Sequence, residues 1–360
     1  MIKAGTMVCF AQAHKVEDPY YYIAHERLVL ATAKNSLGDY TIYDRDGKAT
    51  VELVEKPKTL NGLLLKAHIK VTFADGKIRN FIIDNENRIC PQCYDSEKMI
   101  HYLPANMGYE DTYIIGVIGR PDVGKSAWID SVSRELTLCE DSQMYLANRA
   151  TKGVVKYEAT QINSRKKLVR EILLTNKRGK TCGELLINDT PGEFLTLKAE
   201  DRGPDYDYFK RYIDLCDAIV YVLENGDENN ENLNWMTFLP EDMPVAIIMS
   251  KLDKIEAATK GNGGVYVHES VPLLTSTYFK NRKNMKATSV SRMIENQVVD
   301  RFVLRQLCPS LSMISRKKRN VAYFAVSAGV PFKEDETELD LKYGVNVMAP
   351  VIFIKNYLGI

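Results

Sequence analysis

The sequence predicts an α/β fold, a mostly parallel sheet flanked by helices and preceded by a small β-rich domain. Three observations carry that expectation. From Tyr113 onward, short apolar runs alternate with amphipathic stretches of helical spacing, as strands covered by helices do. From about Tyr20 to Asp84 the chain instead alternates in short pieces broken by turn dipeptides, the pattern of antiparallel strands. Composition agrees, because 45% hydrophobic and 26% charged residues over 360 positions suit a globular chain of about two domains. The expected division is residues 1–108 and 109–360, with a helical insertion at about 256–320 in the second part.

The first region opens with Lys3, a short apolar Met7–Phe10 and Ala11-Gln12-Ala13, a weak match to a secretory leader whose apolar core is too short. Tyr40–Tyr43 leads to Asp46-Gly47, and His68–Phe73 leads to Asp75-Gly76 and then Phe81–Ile83, so antiparallel pairing about these turns is expected. Cys90-Pro91-Gln92-Cys93 follows, and Leu103–Glu110 reads as a connector. In the second region the expected strands are Tyr113–Ile118, Leu185–Asn188, Val245–Met249 and Val321–Val326. The expected helices are Ala127–Leu136, about Ser289–Cys308, and Asn346–Leu358. In the middle one, Met293, Ile294, Val298, Val299, Phe302, Val303 and Leu307 share an apolar face, which either packs on the core or meets a partner.

Charge narrows the function classes. Forty-eight Lys and Arg against 47 Asp and Glu leave a net +1, so no global field draws the chain to nucleic acid or an acidic membrane. RNA contact would need a local patch, for which Arg165-Lys166-Lys167 and Arg316-Lys317-Lys318-Arg319 are the candidates, although such runs are usually just solvated. The longest apolar runs, such as Ala218–Leu223, fall short of the ~20 residues of a membrane helix. Seven scattered cysteines, an odd number, suit reduced thiols in the cytoplasm.

The expected strand Tyr113–Ile118 runs into Gly119-Arg120-Pro121-Asp122-Val123-Gly124-Lys125-Ser126, a G-x-x-x-x-G-K-S phosphate loop placed between a strand and a helix as that motif requires. Its glycines let the backbone curl so that successive N–H groups and the helix N-terminus face phosphates. Lys125 would reach the β- and γ-phosphates, and the Ser126 hydroxyl would ligate Mg2+. A second apolar strand ends in Asp189-Thr190-Pro191-Gly192, where Asp189 would hold the metal through water and the Gly192 N–H would meet the γ-phosphate. The strand Val245–Met249 ends in Ser250-Lys251-Leu252-Asp253. A carboxylate at Asp253 accepts from N1–H and the exocyclic amine of guanine, whereas adenine offers no such pair, so GTP is expected over ATP. The last strand ends in Ser327-Ala328-Gly329, where a backbone N–H could meet guanine O6.

This ordered set resembles the translation-factor-related (TRAFAC) class of P-loop GTPases over roughly residues 112–360, and the loop and Asp-Thr-Pro-Gly are most similar to the Era and Der branch. The resemblance implies a Mg2+-dependent GTP switch that hydrolyses GTP, with GTP/GDP contacted by Gly119, Asp122, Val123, Gly124, Lys125, Ser126, Ala127, Ser250, Lys251, Asp253, Ser327 and Ala328. It implies catalytic roles for Lys125, Thr151, Gly192 and Glu193, with Thr151 joining Ser126 and Asp189 about Mg2+. It also implies that Leu168–Thr175 and Cys182–Asn188 form the antiparallel hairpin between the two switches. A protein effector or activator is implied without being identified.

Three departures from the family pattern bear on the chemistry. Ser250 stands where Asn or Thr is usual, so the side chain that braces the phosphate loop is shorter. Asp122 replaces the Asn that helps hold K+ in potassium-activated relatives, which leaves potassium binding open in either direction. Glu193 takes the place of a water-orienting Gln, and a carboxylate beside a γ-phosphate is repelled unless screened, so unaided hydrolysis is expected to be slow. The alternative is a GTP-dependent adaptor with negligible hydrolysis, RNA- or ribosome-associated. Cys90 and Cys93 are half of a Zn2+ site, a redox pair, or two free thiols in a turn; Cys9, His14 and His101 are the residues that could complete a metal set.

Overall fold

The computed structural model describes all residues except 34–35, 44–48, 56, 61–62, 139–143, 147–153, 157–168, 176–179, 191, 193–202, 225–238, 252–319, 329, 333–334 and 341–346. The expected insertion at 256–320, apart from Asn320, the helix at 289–308 and both basic runs lie outside the described residues. The chain divides into two compact units, Met1–Thr112 and Tyr113–Ile360.

The first unit is built from β1 (Met7–Cys9), β2 (His14–Val16), β3 (Tyr20–Ile23), β4 (Leu28–Ala33), β5 (Ser36–Tyr43), β6 (Thr50–Leu53), β7 (Lys58–Leu60), β8 (Leu63–Thr72), β9 (Ile78–Asp84), β10 (Arg88–Ile89) and the helix α1 (Pro91–Glu97). Strands β1 and β2 form a hairpin, β10-β3-β4-β5 form one sheet, and β8 pairs with β6, β7 and β9 in another. From Ala67 onward β8 buries every second residue, so Ala67, Ile69 and Val71 meet Leu28, Leu30, Leu64 and Ile83 in one core. The β8–β9 turn centres on Asp75-Gly76, where the Asp75 carboxylate accepts from the Lys77 N–H at 3.0 Å. The expected connector Leu103–Glu110 is instead part of this unit. Leu103, Met107 and Tyr109 are buried, and the Tyr109 hydroxyl donates to the Leu64 carbonyl at 2.8 Å. The buried Arg88 guanidinium fixes the same segment by donating to the carbonyls of Pro104 and Ala105.

The second unit contains β11 (Thr112–Ile118), α2 (Lys125–Leu138), β12 (Met144–Leu146), β13 (Val154–Lys156), β14 (Val169–Thr175), β15 (Thr181–Asp189), α3 (Pro204–Leu215), β16 (Ala218–Leu223), β17 (Val245–Met249), β18 (Val321–Ala325), β19 (Val330–Phe332), β20 (Asp335–Asp340) and α4 (Ala349–Leu358). Seven strands make one sheet in the order β12-β14-β15-β11-β16-β17-β18. Strands β11, β16, β17 and β18 run parallel, while β14 and β15 are antiparallel, as the hairpin reading expects. Every residue of β16 and β17 is buried, which explains their unbroken apolar sequences. Trp128 of α2 is 1% exposed and donates its indole N–H to the Val347 carbonyl at 2.9 Å, joining α2 to the turn before α4. A separate three-stranded sheet, β13-β20-β19, has no counterpart in the expected elements, because Asp335-Glu336-Thr337-Glu338-Leu339-Asp340 reads as a polar loop.

Trp128→Phe would leave the buried Val347 carbonyl without its donor and open a small void, at a cost of about 2–4 kcal/mol. Urea unfolding followed by circular dichroism should show the midpoint falling by the corresponding amount; an unchanged midpoint would contradict this account of how α2 is tied down.

Candidate functional site

Five adjacent strands end at one edge of the large sheet. There β11 leads into Gly119, β15 ends at Asp189, β16 leads to Glu224, β17 to Ser250 and β18 to Ser327. Ligand sites in such sheets form outside the carboxyl ends of the strands, where connections diverge.

The loop 119–124 is held from inside. Lys125, only 6% exposed, donates from Nζ to the carbonyls of Gly119 at 2.9 Å and Arg120 at 2.8 Å. The Ser250 hydroxyl lies 2.6 Å from the Val123 carbonyl and 2.8 Å from the Leu223 carbonyl, and its single proton serves one of them at a time. The short serine therefore does brace the loop, because the end of β17 comes close to it. Gly124 takes φ +92°, which costs glycine nothing, and Asp122 takes φ +61° with its side chain exposed. Val123 and Ala127 are buried beneath the turn.

Asp189 is fully buried and accepts from the Ser126 hydroxyl at 2.6 Å through Oδ2. Its Oδ1 is buried with no hydrogen-bond partner among the described residues. Burial pushes its pKa up to about 6, against the opposing pull of the Lys125 charge and the Ser126 bond. These residues fit Mg2+. A Ser126 proton committed to Asp189 leaves both hydroxyl lone pairs for a hard cation, and the unpartnered Oδ1 can accept from a metal-bound water. Just beyond, the Thr190 hydroxyl donates to the Val117 carbonyl at 2.6 Å and pins this turn to β11. Gly192 is buried against the phosphate loop, where a Cβ would stand 2.3 Å from the Pro121 nitrogen, so no side chain is tolerated there.

On the far side, Lys251 sits at φ +55° and its ammonium pairs with Glu224 at 2.7 Å. Ser327 is buried, and the Ala328 carbonyl accepts from the Ser131 hydroxyl of α2. Sequence reasoning passed over Glu224 and Ser131; the position of Glu224 directly after the apolar run 218–223 was the available signal. Thr151, Glu193 and Asp253 lie outside the described residues.

In the first unit Cys90 and Cys93 come together with Cys9 and His14, while His101 approaches the Cys9 sulfur with Nδ1 at only 4.0 Å. The Cys9 hydrogen bond pulls the Cys90 thiol down to about 5, and burial pushes Cys93 up to about 12. Cys9 is raised by its bond to Cys90 and by burial.

Residues 114–251, under half of the chain, match the family described as 50S ribosome-binding GTPase, and the second unit has the P-loop GTPase fold. Among solved structures, the chain is similar to Era from Aquifex aeolicus bound to GDP and aluminium fluoride, with 15% identity, a TM-score of 0.34, 69% of this chain and 57% of that chain covered. The G domain of the FeoB iron transporter from T. maritima is 17% identical with a TM-score of 0.24, over 42% of this chain and 83% of that one. A GTP-binding protein from Sulfolobus solfataricus in complex with GDP is 12% identical with a TM-score of 0.31, over 69% of this chain and 52% of that one. The chain thus spans little more than half the length of the Era chain it matches. No curated protein matches the chain.

A carboxyl group whose pKa is raised to about 6 holds a proton in the folded chain that the unfolded chain has released. Between roughly pH 4 and 6 the stability contributed by Asp189 therefore falls as pH rises, by about 3 kcal/mol in all, and stays lost above that range. Asp189→Asn should raise the melting temperature of the nucleotide-free protein at neutral pH, with the gain vanishing near pH 4. Thermal melts across this range check it, and a loss of stability equal at every pH would count against it.

Proposed function

We propose that the chain is a guanine-nucleotide switch that binds GTP and GDP with Mg2+ and hydrolyses GTP to GDP and phosphate, slowly unless a partner assists. The observation that carries this reading is the meeting, at one sheet edge, of the braced phosphate loop, the Lys125 ammonium and the Ser126–Asp189 pair. The match of residues 114–251 to a GTPase family supports it.

In this reading the ammonium of Lys125 exchanges two neutral carbonyls for charged β- and γ-phosphate oxygens, while the loop amides and the N-terminus of α2 face the same anion. Bound Mg2+, held by Ser126 and Thr151 and through water by Asp189, would supply neutralisation of the charge shared by the β- and γ-phosphates. The Gly192 N–H meets the γ-phosphate, so the turn after Asp189 follows the presence of that group. Glu193 orients the attacking water poorly, because its carboxylate is repelled by the γ-phosphate. That repulsion also favours the second reading, an adaptor that binds GTP with negligible turnover. Asp253 reads the guanine edge, with Ser250, Lys251, Ser327 and Ala328 framing the base. Asp122 offers a carboxylate for K+. Partners consistent with this reading are a protein effector or activator in the cytoplasm and, given the description of the matched family, the ribosome or its RNA.

Calorimetric titration of nucleotide-free protein should show guanine-selective binding of GDP and a non-hydrolysable GTP analogue over the ATP analogue. Lys125→Ala should weaken it at least ~100-fold, and Asp253→Asn should shift preference from guanine toward xanthine. Retained ATP preference in Asp253→Asn, or no nucleotide binding by the unmodified chain, would overturn the proposal. Phosphate release with and without ribosomes then separates a hydrolysing switch from an adaptor.

A further inference from the structure

Away from the phosphate loop, the described residues contain one group of side chains with the chemistry of a metal centre: Cys9, His14, Cys90 and Cys93. Two short local structures present them in pairs. Cys9 and His14 are directly opposed partners at the end of the β1–β2 hairpin, and cross-strand partners share a face. Cys90 immediately precedes α1 and Cys93 lies in its first turn, with Pro91 setting the entry between them, so a spacing of three brings both sulfurs to one side. The fold then joins segments some eighty positions apart in sequence, placing the Cys9 and Cys93 sulfurs 3.8 Å from one another. The His14 Nε2 lies 3.0 Å from the Cys90 sulfur, and all four ligand atoms fall within 4.8 Å of one another.

Those distances discriminate between chemistries. A disulfide needs its sulfurs at about 2.05 Å, and none of these cysteines is joined to another. Zinc–sulfur bonds of about 2.3 Å in a tetrahedron set the sulfurs about 3.8 Å apart, which is the spacing of Cys9 and Cys93. The His14–Cys90 contact is shorter than a tetrahedral edge, and it must open by about half an ångström when a metal enters. The donor set of three sulfurs and one imidazole nitrogen is soft and suits Zn2+ over Mg2+ or Ca2+. The three cysteines are buried, and four protein ligands leave no position for water or substrate.

The geometry points to a structural Zn2+ site formed by Cys9, His14, Cys90 and Cys93, which clamps the N-terminal hairpin to α1. The metal takes the three sulfurs as thiolates, any proton still on them going to buffer, with no change of oxidation state. The imidazole of His101, with Nδ1 4.0 Å from the Cys9 sulfur, would orient that sulfur without joining the set.

The test uses the full chain purified without chelator from zinc-supplemented cells. Elemental analysis should find one zinc per chain, released when a mercurial reagent titrates the thiols. Cobalt reconstitution should give the visible bands of tetrahedral cobalt with a thiolate charge-transfer band. Cys93→Ser should lose the metal, whereas Cys182→Ser, at an exposed thiol outside the cluster, should keep it. Should Cys93→Ser fail to fold, His14→Cys decides: it should retain one metal and strengthen the cobalt charge-transfer band. A metal-free chain whose melting temperature is indifferent to zinc and to chelator would overturn the site. So would iron in place of zinc, a native disulfide between Cys9 and Cys93, or a His14→Cys cobalt spectrum identical to that of the unmodified chain.

Discussion

The course of the phosphate loop rests on carbonyls that are engaged from inside the fold. Lys125 takes two of them and Ser250 a third, and the helix that follows begins by taking the Gly124 carbonyl with the Trp128 N–H at 3.0 Å. If Lys125 turns to phosphate, the Ser250 and Trp128 bonds remain, and an anion site made of backbone amides would depend on them, since a loop free to rotate its peptides would present oxygens as often as nitrogens. The braces come from α2 itself and from the end of β17, and the turn carrying Gly192 lies close against the same loop. The parallel core therefore matters to function chiefly as a ruler for loop positions.

Burial makes the same site costly for the empty chain. Asp189 is enclosed with one oxygen unpartnered among the described residues, close enough to Lys125 and Ser126 to be partly compensated but not enough to ionise at its ordinary pH. A carboxylate stored in that state has more to gain from a cation than one already satisfied. The positive φ of Asp122 and Lys251 belongs with it, as backbone strain gathered where two strand ends meet the proposed nucleotide. The first unit follows different physics. The four soft ligands between its hairpin and its short helix are where a metal would add cohesion.

Much of the second unit was legible because its strands are buried on both faces and so read as unbroken apolar runs, such as Ala218–Leu223, while the phosphate loop carries its own residue signature. What escaped was of two kinds. Segments that pair through backbone despite polar sequences, above all Asp335–Asp340, give no hydrophobic period to detect. Contacts made by tertiary folding also carry no local signal. The Lys251–Glu224 pair does not follow from spacing along the chain, and spacing named Cys9, His14 and His101 as possible partners of Cys90 and Cys93 without choosing among them. The connector reading of Leu103–Glu110 failed for a related reason, since Met107 and Tyr109 are buried by strands that lie far from them in sequence.

The central claim is that Ser126 and Asp189 form a cation site coupled to the phosphate loop, and the affinity for GDP measured with Mg2+ and with chelator tests it most directly. The account predicts that Mg2+ tightens GDP binding to the unmodified chain, and that Ser126→Ala and Asp189→Ala lose this tightening while keeping the weaker metal-free affinity. Equal dependence on Mg2+ in the variants and the unmodified chain, or none in either, would contradict it.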